Sequence, residues 1–98
     1  MSTLRNEQIE EKLQDLAGWK RKDAKTLGKI YTFDQFLTGI SFVDELSKYA
    51  EEVQHHPKII IDHTDITVHL STHDEGGITE KDTDAAQKFN SLYDQIQQ

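Results

Sequence analysis

The segment EEVQHHPKIIIDH, residues 51–63, places two adjacent histidines, His55 and His56, directly before Pro57, the single proline of the chain. A third candidate, His73, follows in the segment STHDEGG, in which two glycines break the pattern. Histidine is the side chain best suited to moving protons near neutral pH. Because the chain has no cysteine and no serine-nucleophile motif, these histidines favour proton-transfer chemistry over covalent catalysis.

The proline determines how the adjacent histidines can be used. Neighbouring residues on a regular helix point roughly 100° apart, so His55 and His56 cannot share one helical face. A helix that carries them must end before Pro57, and the chain leaves the helical path there. We therefore expect both imidazoles to flank a cleft at a helix end, with His73 brought to the same place by an adjacent strand end.

Ordinary structural roles also fit these side chains. A histidine at the end of a helix can simply cap the last carbonyls. Asp82 is the fourth residue of the segment TEKD, where a capping box explains it, and Glu51 is a plausible i,i+4 partner of His55. His63 and His69 lie beside no helix breaker or glycine loop, and we assign them no role.

A zinc site is the sharper chemical alternative. His55, His56 and His73 could supply three nitrogen ligands, and Asp74 a fourth. The familiar helical zinc pattern, however, places its ligands at i and i+4, whereas two of these are adjacent. We therefore expect no metal.

The elements that position these residues follow from apolar spacing. Ile9, Leu13 and Leu16 predict a first helix over about residues 5–17, with Gly18 as its C-terminal cap. The segment 18–33 predicts two strands joined near residues 23–26, anchored by Trp19 and Tyr31.

A second, longer helix is predicted with Asp34 as its N-cap and its end before Pro57. Two further strands follow around a turn at residues 64–65, and Thr79 opens a last helix. The order α-β-β-α-β-β-α indicates one α+β domain over residues 1–98, with an antiparallel sheet and helices gathered on one face. The apolar positions of the long helix are Phe36, Ile40, Val43, Leu46, Ala50 and Val53; those of the last strand are Ile66, Val68 and Leu70.

Composition limits the classes of partner. The 98 residues carry a net charge of −7 and no basic run longer than KRK, which argues against nucleic-acid binding. The longest apolar run has three residues, so we expect no membrane span, and the absence of cysteine and of an N-terminal apolar region favours a cytoplasmic protein. A monomer of this length is only marginally stable, so we expect a homo-oligomer.

The segments AEEVQHHP, residues 50–57, and ITVHLSTHDEGGITEKD, residues 66–82, together resemble the pterin-4a-carbinolamine dehydratase family. The similarity extends back through residues 18–43. The resemblance implies a four-stranded antiparallel sheet with helices on one face, assembled as dimers or tetramers. It also implies dehydration of 4a-hydroxytetrahydropterin to quinonoid dihydropterin and water, with no cofactor of the enzyme's own, to recycle the cofactor of aromatic amino-acid hydroxylases.

The resemblance also implies roles for individual residues. His56 and His73 would exchange protons with the pterin, and His55 would orient its ring, held by Glu51. The substrate-binding residues would be Glu51, Gln54, Ser71, Thr72, Asp74 and Asp82. The chain departs from the family pattern in three places: Gln54 stands where Asp is common, Ile59 where an aromatic residue is common, and His63 where tyrosine is common.

The alternative function is a non-catalytic interaction module. Some members of the family act as dimerisation cofactors of a homeodomain transcription factor. In that case the apolar stripe of the long helix would be the docking surface.

Overall fold

The computed structural model describes residues 2–97. Over that range the elements follow the predicted order, and the predicted α+β fold is confirmed. They are α1 (Asn6–Leu13), β1 (Lys20–Asp23), β2 (Thr26–Thr32), α2 (Phe36–Val53), β3 (Lys58–Asp62), β4 (Asp65–Leu70), a one-turn 3-10 helix (His73–Glu75) and α3 (Glu80–Gln97).

The four strands form one antiparallel sheet in the order β1-β2-β4-β3. The two hairpins are joined by β2 and β4, whose register runs from Leu27 opposite Leu70 to Thr32 opposite Asp65. As predicted, the apolar residues of β4 share a buried face, toward which α2 and α3 pack. Because β4 is held at the centre of the sheet, the chain that leaves it at Leu70 is well anchored.

The first helix is shorter than predicted. It begins after Arg5, and its last four predicted residues form tighter turns, in which Asp15 and Leu16 donate to carbonyls three residues back. Gly18 then takes a positive φ of 80°, a conformation that glycine adopts without cost. The predicted anchors Trp19 and Tyr31 are both buried.

The prediction of Asp34 as the N-cap of α2 was wrong. Phe33 still donates to the carbonyl of Thr64 as an extension of the sheet, and Gln35 is extended. Gln35 therefore occupies the N-cap position, without a side-chain cap. The helix begins where the main chain leaves the sheet rather than at the residue with the best capping preference.

The predicted buried face of α2 was partly wrong. Phe36 and Val53 are 42% and 40% exposed, whereas Phe42, which the predicted stripe omits, is fully buried. The ring of Phe42 packs against Tyr31 and Phe33, with centroids 4.6 and 5.4 Å away. A second helical stripe thus competes with the predicted one, and the contacts of Phe42 with these two rings select the stripe that faces the core. The buried residues of α2 are Gly39, Phe42, Leu46 and Ala50.

The second hairpin turns one residue earlier than predicted. His63 and Thr64 form the turn, and Asp65 already pairs with Asp62. His63 has a positive φ of 52°, as two-residue hairpin loops require. This turn lies at the opposite end of β3 and β4 from His56 and Ser71.

The last helix follows the prediction, with Thr79 immediately before its first residue. Its buried residues include Ala85, Ala86, Phe89 and Leu92, as the spacing indicated. No helix within residues 2–97 is both long enough and apolar enough to cross a membrane.

Candidate active site

The end of α2 separates the two adjacent histidines. Gln54 adopts the left-handed conformation, with φ 52° and ψ 46°. The backbone amides of Gln54 and His55 donate to the carbonyls of Glu51 and Ala50, at 3.3 and 3.0 Å, which is the Schellman pattern of a helix end. The Gln54 side chain also donates to the Glu51 carbonyl at 2.6 Å. The chain reverses its helical path here, so His55 and His56 reach different partners.

His55 is anchored by a buried carboxylate. Its Nε2 lies 2.6 Å from Oδ1 of Asp82, which is fully buried. A carboxylate can only accept, so the imidazole donates its Nε2 proton. Nδ1 is then the ring nitrogen that remains for a ligand. The His55 side chain is 11% exposed, so this anchored ring has one edge at the surface.

The second oxygen of Asp82 performs the capping that the sequence pattern suggested. Oδ2 accepts the backbone N–H of Thr79 at 3.0 Å and the hydroxyl proton of Thr72 at 2.8 Å. Thr72 has no second proton to give, so the hydroxyl of Thr79, 2.8 Å away, donates to Thr72. Asp82 therefore joins the start of α3, the end of β4 and the end of α2 in one network.

His56 rather than His55 pairs with Glu51, which corrects the expected partner. The Nε2 atom of His56 is hydrogen-bonded to the carboxylate of Glu51, and both side chains are largely exposed. The expected i,i+4 contact assumed a regular helix through His55, but the helix ends at Val53. After the left-handed turn at Gln54, the fifth residue, rather than the fourth, returns to Glu51.

His73 begins the 3-10 helix just beyond β4. The backbones of Thr72 and Gly77 bond each other in both directions, at 3.0 and 3.3 Å, and close this loop. Inside it the amide of Gly76, at a positive φ of 78°, donates to the carbonyl of His73 at 3.0 Å. The backbone of Thr72 thus closes the loop, and its side-chain hydroxyl links the loop to Asp82.

The three histidines line one cleft of about 350 Å³. The structure thus brings together the helix end and the strand end, as the sequence analysis expected. Of the other predicted site residues, Asp82 lies behind His55 and Glu51 lies behind His56, and neither lines the cleft. The lining residues are Gln54, His55, His56, Ser71, Thr72, His73, Asp74, Glu75 and Lys81.

Two lining residues, Glu75 and Lys81, were missed by sequence reasoning. Each is adjacent to a residue that was predicted, Asp74 and Asp82 respectively. Their position next to predicted site residues was therefore the available signal, because a charged residue in a loop or in the first turn of a helix is ordinarily exposed to solvent. Lys81 reaches the cleft because α3 begins at its edge.

The arrangement of the described side chains does not support the zinc alternative. Within residues 2–97 no three histidine, aspartate or glutamate side chains are grouped as metal ligands. The Nε2 atoms of His55 and His56 are instead held by Asp82 and Glu51.

Comparison with known proteins identifies the family. The sequence profile described as "Pterin 4 alpha carbinolamine dehydratase" matches residues 2–92. The chain belongs to the pterin carbinolamine dehydratase family. A Mycobacterium avium protein that carries this name provisionally is 42% identical over 92 residues, which are 94% of this chain and 97% of that protein. A relative from Thermosynechococcus vestitus is 44% identical over 84 residues, or 86% and 87% of the two chains.

Solved structures of similar proteins agree with the fold. A transcriptional coactivator/pterin dehydratase from Brucella melitensis has a TM-score of 0.90 and 31% identity, covering 94% of this chain and 99% of that one. A pterin dehydratase-like protein identified as a RuBisCO assembly factor in the alpha-carboxysome has a TM-score of 0.66 and 23% identity, covering 78% and 89%. The second similarity concerns the fold alone.

The departures from the dehydratase pattern lie at different distances from the cleft. Gln54 lines it. Ile59 packs against the core, and His63 lies at the far hairpin turn, with its ring stacked on Phe36 at 6.4 Å between centroids. Of the three departures, only Gln54 can contact a ligand in this cleft.

Proposed function

We propose that this protein dehydrates 4a-hydroxytetrahydropterin to quinonoid dihydropterin and water. The observation that carries the proposal is the convergence of His55, His56 and His73 on one cleft in a chain of this family. A volume of about 350 Å³ lies within the range of small-molecule sites. The names of the relatives support the same substrate class.

The reaction needs two proton transfers and no electron transfer. The bond between C4a and the hydroxyl oxygen breaks, and that oxygen leaves as water after taking a proton from a general acid. A ring nitrogen of the pterin gives its proton to a general base, and its electron pair forms the new double bond to C4a. Acid and base return to their starting states by exchange with solvent, so no oxidant or reductant is consumed.

His56 and His73 are the proposed proton-exchanging groups. Both are exposed at the cleft, where they can reach a bound ring and solvent in turn. Glu51 is bonded to Nε2 of His56, so Nδ1 is the ring nitrogen of His56 that remains for the substrate.

His55 is the proposed orienting residue. With Nε2 given to Asp82, its Nδ1 can only accept a hydrogen bond in the neutral ring, which suits an N–H group of the pterin. Ser71 and Asp74 would supply further polar contacts to the ring, while Thr72, whose hydroxyl is bonded to Asp82 and Thr79, holds the strand end in place. Gln54 closes the helix end beside the ring.

The experiment compares dehydration of enzymatically generated 4a-hydroxytetrahydropterin, followed by ultraviolet absorbance, with and without the protein. The proposal predicts acceleration over the uncatalysed reaction at catalytic protein concentrations. A rate equal to the uncatalysed one would contradict the proposal.

A non-catalytic interaction module is the second candidate, and one observation favours it. Phe36 and Leu37, at the start of α2, are 42% and 72% exposed, so an apolar surface remains for a partner. The Brucella melitensis protein is also described as a transcriptional coactivator. A pterin analogue distinguishes the two functions, because a ligand that binds only the native state raises the melting temperature. No shift at saturating analogue would favour the interaction module.

A further inference from the structure

A second depression opens from the histidine cleft onto the face of the sheet that the helices leave uncovered. It has a volume of about 150 Å³ and shares His56, Ser71 and His73 with the cleft. One ligand can therefore occupy both spaces. We call this depression the side groove; its other lining residues are Lys22, Thr26, Lys58, His69 and Leu70.

Strand register explains why the side groove exists. Lys58 pairs with His69, and His69 pairs with Gly28, so these residues form one row across β3, β4 and β2 on the uncovered face. Gly28 makes room for the imidazole, because a Cβ atom there would lie 3.1 Å from Cδ2 of His69. The ring thus forms the floor of the groove, with Lys58 on one side and Lys22 from β1 on the other.

The side groove is positive in a protein that is negative overall. The chain has 11 basic and 18 acidic residues, yet no carboxylate is among the described residues that line the groove. The pKa of His69 is lowered, first by its partial burial and then by the charges of Lys22 and Lys58, while Asp23 at the neighbouring turn opposes this only in part. The charges of both lysines therefore reach His69, which forms the floor of the groove.

The other basic residue of the site lies in a different setting. Lys81 lines the main cleft together with Asp74 and Glu75, so the charge at that end is balanced by acidic side chains. An anionic group on a ligand in the cleft would thus be drawn toward Lys22 and Lys58 rather than toward Lys81.

We infer that the side groove is a subsite for an anionic substituent on the side chain of the pterin, held by Lys22 and Lys58 while the ring lies beside His56 and His73. This inference rests on the proposed function, because it assumes a pterin in the cleft. The shared chemistry is that of a phosphate ester or a carboxylate. The lysine ammonium groups bind either one as mobile point charges, so the interaction weakens with salt.

The test measures the affinity of three pterins by their intrinsic fluorescence at pH 7. 6-Hydroxymethylpterin has a neutral side chain, its monophosphate carries a phosphate ester, and pterin-6-carboxylate carries a carboxylate. The proteins are wild type, Lys22→Gln, Lys58→Gln and the double variant. Lys88→Gln, at an exposed position of α3 outside both cavities, controls for the loss of one positive charge.

We expect the anionic probes to bind wild type more tightly than the neutral probe, by on the order of tenfold at low salt. The double variant should lose this advantage, each single variant part of it, and Lys88→Gln almost none. The neutral probe should bind every variant within about twofold of wild type. An advantage of the monophosphate alone would identify the substituent as a phosphate, and an equal advantage of both anions would show that a carboxylate suffices.

Two results would overturn the inference, and they differ from each other. If wild type binds neutral and anionic probes equally, or the lysine variants weaken all probes alike, the subsite is wrong while the proposed function stands. If wild type binds none of the three pterins, the proposed function fails and the subsite fails with it.

Discussion

At the scale of single residues, Asp82 performs a structural and a proposed functional task with different oxygen atoms. Its Oδ2 caps α3 through Thr79, which the segment TEKD indicated, and its Oδ1 holds His55. The sequence predicted the cap and, through the family resemblance, a substrate-binding role for Asp82, but not the pairing with His55, because that contact joins residues 27 positions apart. The expected partner Glu51 was wrong for the complementary reason, since local spacing assumed a helix that had already ended.

Asp82→Asn should move the ring proton of neutral His55 from Nε2 to Nδ1 while preserving most of the fold. The amide oxygen can still accept from Thr72 and Thr79, but the amide nitrogen must face Nε2 of His55 and donate to it. The neutral imidazole then carries its proton on Nδ1. We expect the 15N chemical shifts of His55 to exchange between the two ring nitrogens and the dehydration rate to fall by about tenfold or more. If the tautomer of His55 is unchanged and the rate falls only because the variant unfolds, Asp82 acts as a capping residue alone.

Protonation of His69 should make the folded protein less stable in mild acid. Its lowered pKa means that the unfolded chain, with the ordinary value of 6.5, binds the proton more readily than the folded one. As the pH falls below 6.5, protonation therefore favours the unfolded state, and this destabilisation disappears above 6.5. The groups that face His69 are Lys22, Lys58 and Asp23.

Urea midpoints at pH 7.5 and pH 5.5 test this sign. Between these values wild type should lose more stability than His69→Gln, which has no charge to acquire. Equal losses in the two proteins would contradict the assignment.

At the scale of elements, the sequence predicted each helix and strand but not the backbone details at their ends. Apolar spacing predicted α3 correctly because a single stripe is available there. In α2 two overlapping stripes compete, and only contact with Tyr31 and Phe33 selects the one that contains Phe42. The left-handed residue that ends α2 is Gln54 rather than a glycine, so no residue type marked it in advance.

Gly76→Ala should destabilise the loop that carries His73. The positive φ of 78° disfavours alanine, and because nothing lies within 4 Å of the added Cβ, the cost is conformational alone. We expect a loss of about 1 kcal/mol in the free energy of unfolding, measured by urea denaturation, with a lower dehydration rate. Gly76→Asn is the matched control, since asparagine tolerates this conformation. Equal effects of alanine and asparagine would count against the conformational explanation.

At the scale of the whole molecule, the cleft depends on a long-range pairing that local patterns do not contain. Pairing of β2 with β4 puts β4 at the centre of the sheet, and the Asp82 network then joins the end of that strand to the end of α2. The convergence of the histidines was therefore an expectation drawn from breakers and from family resemblance. Periodicity predicted the elements, and their packing created the cleft.

Self-association is also a prediction at this scale. A small domain with several large apolar side chains at its surface gains stability by covering them. Light scattering after size exclusion at about 10 µM protein should therefore give a mass of a dimer or larger. A monomeric mass would contradict this expectation. The exposed residues are Ile30, Phe36, Leu37, Val53, Ile60 and Ile61.

The most direct test of proton transfer by the cleft histidines is the dehydration rate of His56→Ala and His73→Ala, after subtraction of the uncatalysed reaction. His63→Asn, at the far hairpin turn, is the control for loss of an imidazole outside the cleft. We predict that each cleft variant loses on the order of a hundredfold in rate while keeping its fold, and that His63→Asn matches wild type. Folded variants at both cleft positions with the full wild-type rate would contradict histidine acid–base catalysis in this cleft.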